Sequence, residues 1–347
     1  MGILVKIDEP GIATASKHLR TALMRFGFFA AVLSLAFFTP LLNWMRLALN
    51  SSTFSYVILI PFIVVYLVRL ELKRCLTAND EFRGSEEDAA SSQGMIGRLV
   101  EDEAGHLRRV EKLSGRQIGL AAGCWIIALV SMIVHWFSFL FGWTPSPESS
   151  VALTMLAYYL GLLGGGFIFL GVRTMRRLRF AAAFLVFITP FPTGVTDIIE
   201  IFFQHTSAEV SYWFLTWSGT PILRDGLSFK IPGITMRVAQ ECSGIRSSLV
   251  LFISSLLAGH LFLRTWWRKV VLTLFVIPLA IVRNGLRILT IGLLCVHAGP
   301  EMIDSPIHHR GGPIFFALSL IPFFLTLWWL VRSERKSERH ASFKDAR

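Results

Sequence analysis

A cysteine, a pair of arginines and a pair of histidines mark the points in this chain where covalent chemistry could occur. Cys242 stands in Glu241-Cys242-Ser243-Gly244-Ile245-Arg246-Ser247-Ser248, immediately before an apolar run. A thiol in the first turn or cap of a helix sees the positive end of the dipole and unpaired N–H groups, and both favour thiolate. Arg246, one turn on, adds to that effect. Gly244 permits close backbone approach, so neighbouring N–H groups can serve as oxyanion donors. A later apolar run contains Arg283, Asn284 and Arg287, with the two arginines four apart on one helical face. Ionisable groups inside a span are costly and usually face a bundle interior or polar cavity. The plainer alternative, stronger for Arg283 than for Arg287, is snorkelling to lipid phosphates. His308 and His309 lie in the loop from Asp304 to Pro313, beside Gly311-Gly312, and either is a candidate base. Cys124 and Cys295 fall in apolar runs as small packed residues and Cys75 in a charged insert, so no structural disulfide is expected for Cys242.

The elements that must position these residues are membrane spans. Of 347 residues, 53% are apolar and only 16% charged, well below the quarter or so that a soluble domain carries. About 20 apolar residues cross a bilayer, and the sequence predicts eight spans, at about 26–43, 53–70, 117–141, 150–171, 180–195, 245–263, 270–296 and 313–332. Arg25 before a long apolar run reads as a retained anchor. The net charge of +11 would suggest nucleic acid in a soluble protein. Here 26 of the 34 Lys and Arg fall in the N-terminus, alternate connections and the tail from Arg332, a topology signal that sets both termini in the cytoplasm. Cys242 is 22 residues before Arg264, about 33 Å along a helix, and Arg287 is 18 beyond Lys269, about 27 Å. With the loop of His308 and His309, three distant segments then meet one membrane depth, at the outer interface.

The fold class expected is an all-α polytopic membrane protein with both termini inside. Its divisions are an anchor and two spans at 1–70, a charged insert at 71–116, a membrane core at 117–332 and a basic tail at 333–347. The insert holds ten of the 23 acids, and its Ser/Gly-rich stretch around Gly84–Gly94 argues for partial disorder, with a short helix from Met95 to Leu113. On the outer side, Asp197–Trp217 suits a helix lying in the interface. Leu227, Phe229 and Ile231 alternate before Pro232-Gly233, and Ile234, Met236 and Val238 after it, which predicts a small hairpin leading to Cys242.

These residues resemble the exosortase/archaeosortase family of membrane-embedded thiol transpeptidases. The matching pieces are Val238–Arg246, Asn284-Gly285-Leu286-Arg287 and the stretch from His308 to Phe316, with Ser55…Pro61 and Pro190-Phe191-Pro192 also similar. The resemblance covers most of the membrane part, most specifically 225–330. It implies Cys242 as nucleophile, Arg287 as oxyanion or substrate stabiliser and His308 as general acid/base. His308 is preferred over His309 by its four-residue offset to Gly312, and Glu241, Ser243, Gly244, Arg246 and Asn284 support the site. Implied substrates are exported proteins ending in a short motif (Pro-Glu-Pro in many bacterial cases), an apolar helix and a basic tail. An acceptor such as an exopolysaccharide or lipid takes the released protein, at the outer face of a bacterial inner membrane. No cofactor, metal or nucleic acid is implied. The insert at 71–116 departs from the compact family core.

Other readings are weaker. There is no H-E-x-x-H metal motif, Trp217-Ser218-Gly219 lacks the first Gly of a serine motif, and Asp197, Glu200 and His205 suit a polar helix face better than a metal. A transporter with Arg283 and Arg287 lining an anion path leaves Cys242 without a role. A polysaccharide-export assembly protein would use the insert for docking.

Overall fold

A computed structural model describes residues 10–51, 54–87, 114–141, 146–232, 234–237, 244–304 and 311–345. Among the described residues seven helices are long and apolar enough to cross a bilayer, or eight spans if Arg179–Ile188 and Thr193–Trp217 form one broken span, and large apolar side chains such as Phe28, Ile126, Trp136 and Phe324 are exposed. Polytopic helical architecture follows, because lipid satisfies no backbone group and each spanning segment must close its own hydrogen bonds. The helix expected from Met95 to Leu113 lies outside the described residues.

The chain forms two compact units, 1–192 and 193–347. In the first, α1 (Pro10–Ala36) gives way at Phe37 to α2 (Phe38–Asn50). The span expected at 26–43 is therefore divided. Pro40 has no N–H to offer the Ala36 carbonyl, and its ring opposes that carbonyl, so one helix stops and another starts. A 3₁₀ turn at Ser55–Leu59 leads into α3 (Ile60–Glu87), which carries helix well into the expected insert. Helix α4 (Gly115–Leu140) opens on a capping box between Ser114 and Gln117. Helix α5 (Pro147–Phe169) has Ser146 as its cap and Pro147 at its first position.

Helix α5 is the most buried span of this unit, and small residues make that possible. A Cβ on Gly164 would lie 2.2 Å from the Trp125 indole of α4, and one on Gly165 would lie 2.1 Å from the Phe29 ring of α1. With no hydrophobic drive between helices in lipid, such close approach supplies the packing energy. After α6 (Gly171–Arg177), the fifth expected span begins with α7 (Arg179–Phe184) and a 3₁₀ turn Leu185–Ile188. Pro192 cannot donate to the Ile188 carbonyl, and the Trp44 indole N–H takes that acceptor at 2.8 Å.

The second unit opens with α8 (Thr193–Trp217), four residues earlier than the interfacial helix expected at 197–217. A three-stranded antiparallel sheet follows: β1 (Leu223–Asp225), β2 (Ser228–Ile231) and β3 (Ile234–Arg237). The expected hairpin is β2–β3, with Phe229 opposite Met236 and Ile231 opposite Ile234. Strand β1 was not anticipated, although Asp225-Gly226, with Gly226 at φ +59°, is a hairpin-turn signal. Phe229 and Met236 pack with Ala208 of α8 and Ile288, Ile291 and Cys295 of the long helix α10 (Trp266–Ala298). Arg224 ties β1 to α8 through Glu209 at 2.7 Å and the Tyr212 ring at 5.8 Å. The hydrogen bond to Glu209 holds the Arg224 pKa above its ordinary value.

Helix α9 (Ile245–Phe262), α10 and α11 (Gly312–Asp345) share a second core of Leu251, Leu272, Val276, Phe323, Leu327 and Leu330. Glu334 of α11 serves the start of α10. It accepts the backbone N–H of Arg264 at 3.0 Å and of Thr265 at 2.8 Å, accepts the Thr265 hydroxyl, and faces Arg268 Nη1 at 3.5 Å. Helix α11 continues through most of the expected basic tail, to Asp345.

Candidate active site

Helix α9 begins at Ile245 with Gly244 as its cap, two positions after Cys242 in the sequence. Glu241, Cys242, Ser243, His308 and His309 lie outside the described residues. The site is therefore built from Gly244, Arg246 and the polar residues of α10.

Gly244 has φ +72° and ψ 13°, left-handed backbone that a Cβ disfavours. A second constraint comes from α10, because an added Cβ would sit 3.0 Å from Arg283 Nη2 and 3.3 Å from Asn284 Oδ1. Position 244 must be small on both counts. Its carbonyl oxygen is unusually well served. The Ser248 N–H donates to it at 3.1 Å, the Ser248 hydroxyl at 2.8 Å, the Ser247 hydroxyl at 3.1 Å and Arg283 Nη2 at 3.1 Å. Arg283 Nη2 also donates to Ser248 Oγ at 3.1 Å.

The sequence signal for Ser247 and Ser248 was easily overlooked, since serine is common at helix starts. Their work is to close the first turn of α9 around one carbonyl, and the α10 guanidinium completes the arrangement. Arg283 is 6% exposed and Asn284 2%, so Arg283 is bound inside the protein and does not snorkel to lipid. Its Nη1 is buried with no hydrogen-bond partner among the described residues. Arg287 stands one turn along α10, half-buried, near enough for the two guanidiniums to repel each other. Arg246 is exposed and lies within electrostatic reach of Glu200 on α8.

Two of the three distant segments are thus in contact. The cap that follows the cysteine string and the Arg283-Asn284 step of α10 share hydrogen bonds and van der Waals surface. Gly285 permits a further approach on the same helix, since a Cβ there would lie 2.8 Å from Val210 Cγ1 of α8. Cations fixed beside a helix start suit chemistry in which charge develops on a carbonyl oxygen. The loop of His308 and His309 ends at Gly311, whose carbonyl accepts the Ile314 and Phe315 N–H groups at 3.0 and 3.2 Å at the start of α11.

Residues 44–325 match a family model described as transmembrane exosortase. No curated protein and no solved structure matches the chain.

Proposed function

Because the chain belongs to the transmembrane exosortase family, a multi-pass membrane family of sorting-related transpeptidases, we propose that Cys242 is its nucleophile and that Arg287 and His308 complete the site. The observation that carries this reading is the seating of Gly244 against Arg283 and Asn284. It holds the turn after Cys242 against the helix that bears Arg287.

In the proposed reaction the Cys242 thiolate attacks the scissile carbonyl of a membrane-anchored substrate, forming a C–S bond and a tetrahedral oxyanion. Arg287 stabilises that charge. Collapse expels the amine of the tail segment, which takes its proton from His308 and leaves a thioester on Cys242. An acceptor nucleophile then attacks the thioester, His308 accepts its proton, and the thiolate is restored. The proposed substrates end in a short motif, an apolar helix and a basic tail. That helix would stop with its motif at the outer interface of the bacterial cytoplasmic membrane, the depth of Cys242 and Arg287 in the spacing argument. The acceptor is the polysaccharide or lipid that retains the processed protein.

The test is processing of a tail-tagged protein of this form in cells carrying Cys242→Ala or Cys242→Ser. Loss of the shortened product and of a hydroxylamine-sensitive adduct is expected in both. Unchanged processing overturns the reading.

A further inference from the structure

The strongest feature outside the candidate active site is on α11, where the apolar run gives way to charge. An open groove of about 410 Å³ is bordered by Trp328, Val331, Arg332, Arg335, Lys336 and Arg339. The four cationic residues are all exposed. Arg332 lies over the Trp328 ring at 5.2 Å, which holds one guanidinium against an aromatic floor.

The acids of this segment are turned away. Glu334 is buried against the start of α10, and Glu338 reaches Arg264 at 3.2 Å. Those two are four residues apart and share one helical face. At 100° per residue the cations gather around Trp328, on average about 130° around the helix from those acids. Seven residues separate Arg332 from Arg339, about 10 Å of helix, comparable to the headgroup layer beyond the hydrocarbon. Trp328 sits where aromatic residues anchor a span to that layer.

We propose that this face is a binding site for the phosphate headgroup of an anionic phospholipid. The phosphate meets the guanidiniums of Arg332, Arg335 and Arg339, and the glycerol and upper acyl chain cover Trp328 and Val331. A zwitterionic lipid fits less well, because its own cation meets Arg332, Arg335 and Arg339, while Glu334 and Glu338 are engaged by Thr265 and Arg264.

The full-length protein, reconstituted in phosphatidylcholine nanodiscs containing a minority of phosphatidylglycerol, provides the test. Lipid retained after detergent extraction is read by mass spectrometry. Phosphatidylglycerol is expected to be enriched on the native chain, and the enrichment to fall at least about tenfold in the triple variant Arg332→Gln, Arg335→Gln, Arg339→Gln. The triple Lys variant at the same positions keeps it. So does a control triple of equal charge change, Arg69→Gln, Lys73→Gln, Arg116→Gln. An unchanged thermal midpoint in pure phosphatidylcholine shows that the Gln triple folds. Enrichment that survives the Gln triple, is lost equally in the control, or is abolished by added inorganic phosphate overturns the proposal. The last outcome would assign the site to a soluble anion.

Discussion

Arg283 is a cation buried where an apolar side chain would pack at lower desolvation cost. Its hydrogen bonds go to Gly244 and Ser248, and both serines remain to satisfy the Gly244 carbonyl when it is removed. Arg283→Met is therefore expected to leave the thermal midpoint unchanged or raised. Substrate processing should fall on the order of tenfold, the scale of one hydrogen bond to a charged group. A fall in both together would mean that the residue is only structural. Gly244→Ala adds a Cβ to left-handed backbone and presses it on Arg283 Nη2. It should destabilise by about 1–2 kcal/mol and lower processing more than stability alone explains, measured as activity per folded protein. Arg287→Lys keeps the charge but loses the planar fork, and processing is expected to drop on the order of a hundredfold with little change in unfolding. At this scale the placement of Arg283 and Arg287 one turn apart on a single helix was legible from their spacing. That Arg283 donates to the Gly244 carbonyl was not legible, because it depends on how far α9 and α10 approach, which no local pattern encodes.

Among the elements, α5 and α10 both depend on glycines that admit side chains of a neighbouring helix. In α5 the glycines admit rings, Trp125 at Gly164 and Phe29 at Gly165. Gly164→Ala must displace an indole and is expected to cost about 1–3 kcal/mol of stability in detergent, read from thermal denaturation. In α10, Gly285 and Gly292 lie two turns apart and receive Val210 and Leu215 of α8. The start of α10 depends on Glu334. Glu334→Ala removes the acceptor of two backbone N–H groups and leaves Arg268 buried without its carboxylate, at a cost of about 3–5 kcal/mol. Retained stability in that variant would show the cap to be incidental. Element boundaries were the least legible part of the sequence. Hydropathy runs smoothly through 26–43, yet Pro40 divides that stretch, because average apolarity carries no information about which carbonyl has lost its donor.

Across the whole molecule, the distribution of basic residues predicts which parts face the cytoplasm. Single cysteines introduced as Lys230→Cys in β2 and Arg339→Cys in α11, in a chain with its own cysteines replaced by serine, test this with a membrane-impermeant maleimide. Position 230 is expected to label in intact spheroplasts and position 339 only after permeabilisation. The reverse pattern would invert the orientation and move the proposed chemistry to the other face.

Helix α10 runs unbroken for 33 residues, through Pro278, from the Glu334 cap to Ala298. At 1.5 Å per residue it is about 50 Å long, against about 30 Å of hydrocarbon. One end is moored by a carboxylate and the middle is bonded to Gly244, so the helix is a yardstick. It sets the height of Arg287 by counting residues from its mooring, independent of the thickness of the surrounding lipid. A substrate helix has no such mooring and rides with the bilayer. Membrane thickness would then tune the alignment of scissile bond and cation, and processing should peak at one acyl-chain length, falling in both thinner and thicker bilayers.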